Sequence, residues 1–215
     1  MTELNKRFLT SLILLFFLFL SISNFVILFF TLLFCLYQIF YEFFNLLKKI
    51  YKNRSNTKLY FYSLVFLIFL NYTVIKTGSI LYLNIFNYKI FLLLIISISV
   101  SSDIGGYIFG KIFKGKKLTK ISPKKTYSGM VGSYLLSLII SLILFNKYIS
   151  YETIIFMSLF VSSLTQIGDL FISFIKRKAN LKDTGVFLPG HGGLLDRFDG
   201  LIFAIPIGLM IVKFL

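Results

Sequence analysis

Apolar residues in this chain do not alternate with polar ones. They gather in runs of roughly 15 to 20, separated by short polar segments, from one end to the other. Such runs predict membrane-spanning helices and not barrel strands, whose residues would alternate. Seven spans are expected, and the fold class is all-α and polytopic. The first covers roughly Phe8–Ser21 and the second Phe25–Leu47, forming a helical hairpin turned at Ser23-Asn24. Leu59–Ile75 is the third, and Lys76–Asn87 reads as a mixed, interfacial segment. The fourth is Ile90–Ser102, followed by a basic loop over Asp103–Lys125. Met130–Phe145 is the fifth. The sixth begins near Tyr151 and continues past Asp169, with Gly168 the one Gly or Pro between Thr153 and Lys178. Leu201–Leu215 is the last, with a kink expected at Pro206. The expected organisation is an N-terminal hairpin and basic loop (1–58) followed by a catalytic transmembrane domain (59–215), together one membrane-embedded unit.

Composition strengthens this reading. Hydrophobic residues make up 57% of the 215 and the mean hydropathy is +0.87, which leaves too little polar surface for a soluble domain. The N-terminal apolar run resembles a signal peptide, but no small-residue cleavage site follows it, so a retained span is expected. The single cysteine, Cys35, can form no intramolecular disulfide.

The net charge of +15 would suit a nucleic-acid partner, but its distribution argues against one. The cations fall between apolar runs, and only Lys76, Lys89, Lys147 and Lys213 lie outside the N-terminus and three alternate loops. The positive-inside bias then places those loops on the cytoplasmic side.

Polar groups are concentrated between Gln166 and Gly200. On a helix, Gln166, Asp169, Ser173 and Lys176 share one face. An intramembrane carboxylate calls for a partner, a metal or water. One alternative is a purely structural ion pair of Asp169 with Lys176 or Arg197. Asp196 and Asp199, three apart, would share a face if helical, and with Asp169 they offer three hard oxygen donors suited to Mg2+. Lys176, Arg177, Lys182 and Arg197 lie beside these carboxylates. A cation pathway gains nothing from them, whereas a phosphate site needs both metal ligands and basic donors. The Pro189-Gly190-His191-Gly192-Gly193 turn brings backbone N–H groups close to an anion, and His191 can donate to one. Upstream, Gly105-x4-Gly110-Lys111 has P-loop spacing, but Ile112 stands where a Ser or Thr is needed and a span precedes it, so the match is discounted. Lys124 and Lys125, in a Ser122-Pro123-Lys124-Lys125-Thr126 turn, are expected to line the same cavity as the Asp-rich segment.

The run Ser173-x2-Lys176-Arg177-x4-Lys182-Asp183-x-Gly185-x3-Pro189-Gly190-His191-Gly192-Gly193-x2-Asp196-Arg197-x-Asp199 resembles the hallmark of the phosphatidate cytidylyltransferases, or CDP-diacylglycerol synthases. Asp103…Gly106-Tyr107…Gly110-Lys111 and Ser122–Thr126 resemble that family's upstream motif, and the likeness extends over about 101–215. The family usually carries Glu where this chain has Ser128, and its members have further spans before the position of Ile90.

The resemblance implies that CTP and phosphatidic acid give CDP-diacylglycerol and pyrophosphate. It implies Mg2+ on Asp169, Asp196 and Asp199, with Ser173 and Lys176 beside them, and K+ as a second cation. Lys176, Arg177, Lys182, His191 and Arg197 would serve phosphate oxygens, and Lys124 and Lys125 the triphosphate. No general base is required, because a phosphate monoester is already ionised near neutral pH. The expected setting is a bacterial inner membrane with the site facing the cytoplasm, and a homodimer is compatible with it. A CTP-using lipid-alcohol kinase and a carboxylate-lined cation transporter are the competing readings.

Overall fold

The computed structural model describes residues 20, 24–51, 56–83, 86–119, 122–123, 125–187 and 192–214. The regular elements among them are helices: α1 (Phe25–Ile50), α2 (Asn56–Tyr82), α3 (Phe86–Phe113), α4 (Tyr127–Phe145), α5 (Tyr151–Lys178), α6 (Leu195–Phe198), α7 (Leu201–Ile211) and a closing 3-10 turn (Val212–Phe214). An isolated antiparallel bridge joins Lys117 to Thr126. Five of the described helices, α1 to α5, are long and apolar enough to cross a membrane. The apolar stretch Leu201–Phe214 is shorter, at about 21 Å for a helix of that length against a hydrocarbon core of about 30 Å. The chain is an all-α membrane protein. Apart from Leu20, the expected first span lies outside the described residues.

Several helices outrun their expected bounds. Of the mixed segment Lys76–Asn87, residues 76–82 continue α2 and Phe86 and Asn87 open α3. The fourth span does not stop at Ser102, because α3 carries Asp103, Gly105, Gly106 and Gly110 inside it and ends at Phe113. The basic loop after it is correspondingly short. Glycines that read as loop residues are here helical, which also disposes of the P-loop spacing. Pro206 lies within α7, which runs on through it.

Two compact units divide the chain. One comprises Met1–Leu83 with Ile175–Phe198, the other Asn84–Phe174 with Asp199–Leu215. Both are discontinuous in sequence.

In the first unit, α1 starts at Asn24, whose side chain accepts the Val26 N–H at 2.9 Å and caps the helix. Ile39, Glu42, Phe43, Leu46 and Leu47 are buried along one side of α1, a helical spacing that places a carboxylate in an otherwise apolar stripe. Phe43 stacks on Phe66 of α2 with centroids 3.7 Å apart.

In the second unit, α3 and α4 approach backbone to backbone. A Cβ on Gly105 would run into the Gly132 carbonyl, and one on Gly129 would stand 2.7 Å from the Gly106 carbonyl oxygen. Hydroxyls stitch the same helices to α5. Ser102 and Ser162 lie 2.8 Å apart, Ser141 and Ser158 2.6 Å, and Tyr134 and Ser163 2.9 Å, while Ser133 donates to the Ser102 carbonyl at 2.7 Å. Small and hydroxylated residues permit this close packing where lipid provides no hydrophobic drive between helices. Gly208 of α7 fits against Ile95 and Val161.

Gly105→Ala is therefore expected to overpack the α3–α4 contact and cost about 1–3 kcal/mol. Gly78→Ala, where an added Cβ meets nothing within 4 Å, is expected to be neutral or stabilising. Thermal unfolding of both variants in detergent checks this, and equal melting points would refute it.

Candidate active site

The helical stretch of α5 ends just after its basic residues Lys176, Arg177 and Lys178. Asn180 adopts φ 54°, its N–H bonds the Arg177 carbonyl at 3.1 Å, and the Leu181 N–H reaches back to the Lys176 carbonyl at 2.9 Å. This left-handed cap stops the helix and turns the chain toward residues 182–187. Arg177 donates to the Leu181 carbonyl at 3.3 Å, and Arg177, Lys182 and Arg197 are exposed.

Asp196, in the first unit, is held through both carboxylate oxygens. Its Oδ2 accepts the Thr184 N–H at 2.8 Å, the Thr184 hydroxyl at 3.0 Å and the Gly193 N–H at 3.3 Å. Its Oδ1 takes the ammonium of Lys176 at 2.7 Å, and the two side chains are 9% and 12% exposed. One oxygen is thus pinned by loop donors and the other faces a cation.

Glu42 was not singled out by the sequence pattern, yet it organises this loop. It is 3% exposed. Oε1 accepts from Gln38 Nε2 at 3.1 Å and from the Leu194 N–H at 3.0 Å. Oε2 accepts from the Thr184 hydroxyl at 2.7 Å and from the Leu195 N–H at 2.9 Å. Four such bonds, at about 1.5–3 kcal/mol each for a charged acceptor, are of the order of the several kcal/mol lost in burying an ion. Signals were present in the sequence: Glu42 is the only acidic residue in the Phe25–Leu47 run, and Gln38 stands one turn before it.

The second unit carries a separate arrangement. Asp169 forms an ion pair with Lys125 through Oδ2, while its Oδ1 accepts from Ser173 at 3.3 Å, the outcome of the four-residue spacing on α5. Asp169 therefore pairs with Lys125, a partner that helical spacing on α5 does not offer. The charges of Asp169 and Lys125 both act on Asp103 of α3.

Lys125 is delivered by a closed turn. The Leu118 N–H bonds the Lys125 carbonyl at 2.8 Å, Thr126 caps α4 by accepting the Gly129 N–H at 3.1 Å, and Gly115 takes a φ of 104° that favours glycine. Ser128, at the position where Glu was expected, donates to the Lys114 carbonyl at 2.9 Å and so closes the base of the turn.

Asp199 follows directly on α6. Helix α6 ends at Phe198, and Asp199 turns its Oδ1 to the Gly200 N–H at 2.9 Å. An Asp side chain that captures its neighbour's backbone N–H competes with the helix in this way. Gly200 packs on Thr165 too closely for a Cβ. Lys124 and His191 lie outside the described residues.

Among the described residues, no group of three or more His, Cys, Asp or Glu side chains is gathered as a metal cage. The expected trio is distributed between the units, with Asp196 in the first and Asp169 and Asp199 in the second. Their chemistry nevertheless fits Mg2+. All are hard oxygen donors, and Mg2+ is commonly held by one or two carboxylates with waters and substrate phosphates supplying the rest.

A model of the cytidylyltransferase family matches residues 3–215. The chain is 42% identical over 129 residues to the phosphatidate cytidylyltransferase of Rickettsia typhi, a match covering 55% of this chain and 57% of the relative. It is 46% identical over 117 residues to that of Rickettsia bellii, covering 50% and 51%. Against that of Bacillus subtilis it is 41% identical over 110 residues, covering 49% and 41%. The chain thus spans about half the length of the curated relatives it matches.

Lys176→Met should strand Asp196 Oδ1 in a nearly buried place and cost about 3–5 kcal/mol in unfolding free energy. Adding Asp196→Asn should recover part of that loss, and a double-mutant cycle by denaturant titration measures it. Strict additivity of the two substitutions would show that the pair carries no coupling.

Proposed function

The chain belongs to the cytidylyltransferase family, and from that premise we propose that it transfers a cytidylyl group from CTP to phosphatidic acid, giving CDP-diacylglycerol and pyrophosphate. The observation that carries this reading is the family match over 3–215, in which the Ser173-to-Asp199 run is included.

An oxygen of the lipid phosphate attacks the α-phosphorus of CTP. The bond from that phosphorus to the bridging oxygen breaks, and pyrophosphate leaves with the electron pair. Both reactants are anions, so the protein's task is to neutralise charge and to align attack with departure. Lys125 and Lys176 each already sit on a carboxylate oxygen, and the exposed cations Arg177, Lys182 and Arg197 are the proposed partners of phosphate oxygens. Lys124 and His191 complete the proposed phosphate-binding set. Asp169, Asp196 and Asp199 are the proposed Mg2+ ligands, with Ser173 and Lys176 adjacent. A bound Mg2+ would supply Lewis-acid stabilisation of charge on the phosphates, and K+ is the proposed second cation. The proposed setting is a bacterial inner membrane with the basic loops on the cytoplasmic side, where CTP is met, and with acyl chains left in the bilayer.

Purified protein given labelled CTP, phosphatidic acid and Mg2+ should form CDP-lipid. A lipid alcohol in place of phosphatidic acid should give no phosphorylated product. Asp196→Asn and Asp199→Asn should each lower turnover on the order of 100-fold or more while folded protein is retained. Near-normal turnover in both variants would remove the metal assignment, and a phosphorylated alcohol would replace this reading with a kinase.

A further inference from the structure

Glu42 lies on α1, more than 130 residues before the basic and acidic run that defines the reaction centre. Its four contacts are all donors: an amide, a hydroxyl and two backbone N–H groups. A carboxylate accepts from every direction and donates to none, so it fits this position as no amide can. Gln in its place would turn an NH2 toward at least one N–H or O–H donor.

The loop is shaped around that carboxylate. A Cβ on Gly185 would stand 3.2 Å from Glu42 Oε1, and one on Gly193 would collide with Oε2 and with the Thr184 hydroxyl. The Thr184 hydroxyl has one hydrogen and lies 2.7 Å from Glu42 Oε2 and 3.0 Å from Asp196 Oδ2. Its hydrogen serves one carboxylate at a time, and the hydroxyl stands between the two. Backbone coupling runs in parallel, since Leu194 and Leu195, held by Glu42, immediately precede Asp196.

We propose that Glu42 is a positioning residue of the reaction centre, clamping residues 184, 194 and 195 so that Asp196 keeps Oδ2 pinned and turns Oδ1 toward a cation. This rests on the reading of Asp196 as a metal-binding residue of a cytidylyltransferase. The polar contacts of Glu42 are to Gln38, Thr184, Leu194 and Leu195. Glu42 acts as the outer partner of a ligand, the kind of group whose loss commonly weakens metal affinity or activity 10- to 100-fold.

The test uses the full chain in detergent, with Glu42→Gln, Thr184→Val and Thr184→Ser. Two quantities are measured: Mn2+ binding by electron paramagnetic resonance without substrates, and the kcat and KM of CDP-lipid formation. Glu42→Gln should retain its helical circular dichroism, weaken Mn2+ binding and lower kcat, each by about 10- to 100-fold. Its KM for phosphatidic acid should change by less than about twofold, because the lipid is not what Glu42 orients. Thr184→Val should show a smaller loss in the same direction, and Thr184→Ser, which keeps the hydroxyl, should restore it.

Wild-type Mn2+ affinity and kcat in Glu42→Gln would overturn the proposal, as would a fall in kcat with Mn2+ affinity unchanged. Should Glu42→Gln yield no folded protein, Thr184→Val decides, and wild-type values there overturn it. A wild-type protein that makes no CDP-lipid but binds Mn2+ through a site weakened by Glu42→Gln would sink the proposed reaction and leave the clamp standing. A wild-type protein that does neither would sink both.

Discussion

A carboxylate removed from water must be answered by donors or cations, and the first unit is arranged around that requirement. Glu42 is buried on α1, and two backbone N–H groups, a hydroxyl and an amide converge on it. Each donor comes at the cost of a fixed backbone. Residues 184, 194 and 195 are held in place because leaving any of them unpaired would expose the ion to an apolar surrounding. The placement of residues 184, 194 and 195 is therefore a consequence of where α1 puts one side chain. The glycines at 185 and 193 follow from the same demand, since the loop must close on the carboxylate to within hydrogen-bonding distance.

The apolar runs announced the fold class and most of the spans, because a helix in lipid is specified by length and hydropathy more than by detailed packing. They misplaced helix ends where glycine was read as a loop former. Gly105, Gly106 and Gly110 are in α3 because α4 presses against them, and a partner helix is invisible in a single run of sequence. The pairing within the site was legible only where it was local. Asp169 with Ser173 follows from helical spacing. Asp169 with Lys125 joins groups 44 residues apart, and Thr184 with Glu42 joins groups 142 apart, so neither could be read from periodicity. Glu42 was overlooked for a related reason: it lies among aromatic residues in a span remote from the acidic segment, and its importance is fixed by what folds over it.

The two units solve one electrostatic problem in the same manner. In the first, Asp196 gives Oδ2 to loop donors and Oδ1 to Lys176. In the second, Asp169 gives Oδ1 to Ser173 and Oδ2 to Lys125. A carboxylate anchored through one oxygen keeps its direction when the cation on the other is exchanged. An ammonium on a flexible four-carbon stem is well suited to such exchange, because it can move to another anion without disturbing the backbone. Arg in either place would form a planar, two-pronged pair and compete for the anchored oxygen as well. Lysine at 125 and 176 thus does more than neutralise charge. It leaves each acid oriented, so that the donors that hold the acid and the cation that balances it can be changed independently.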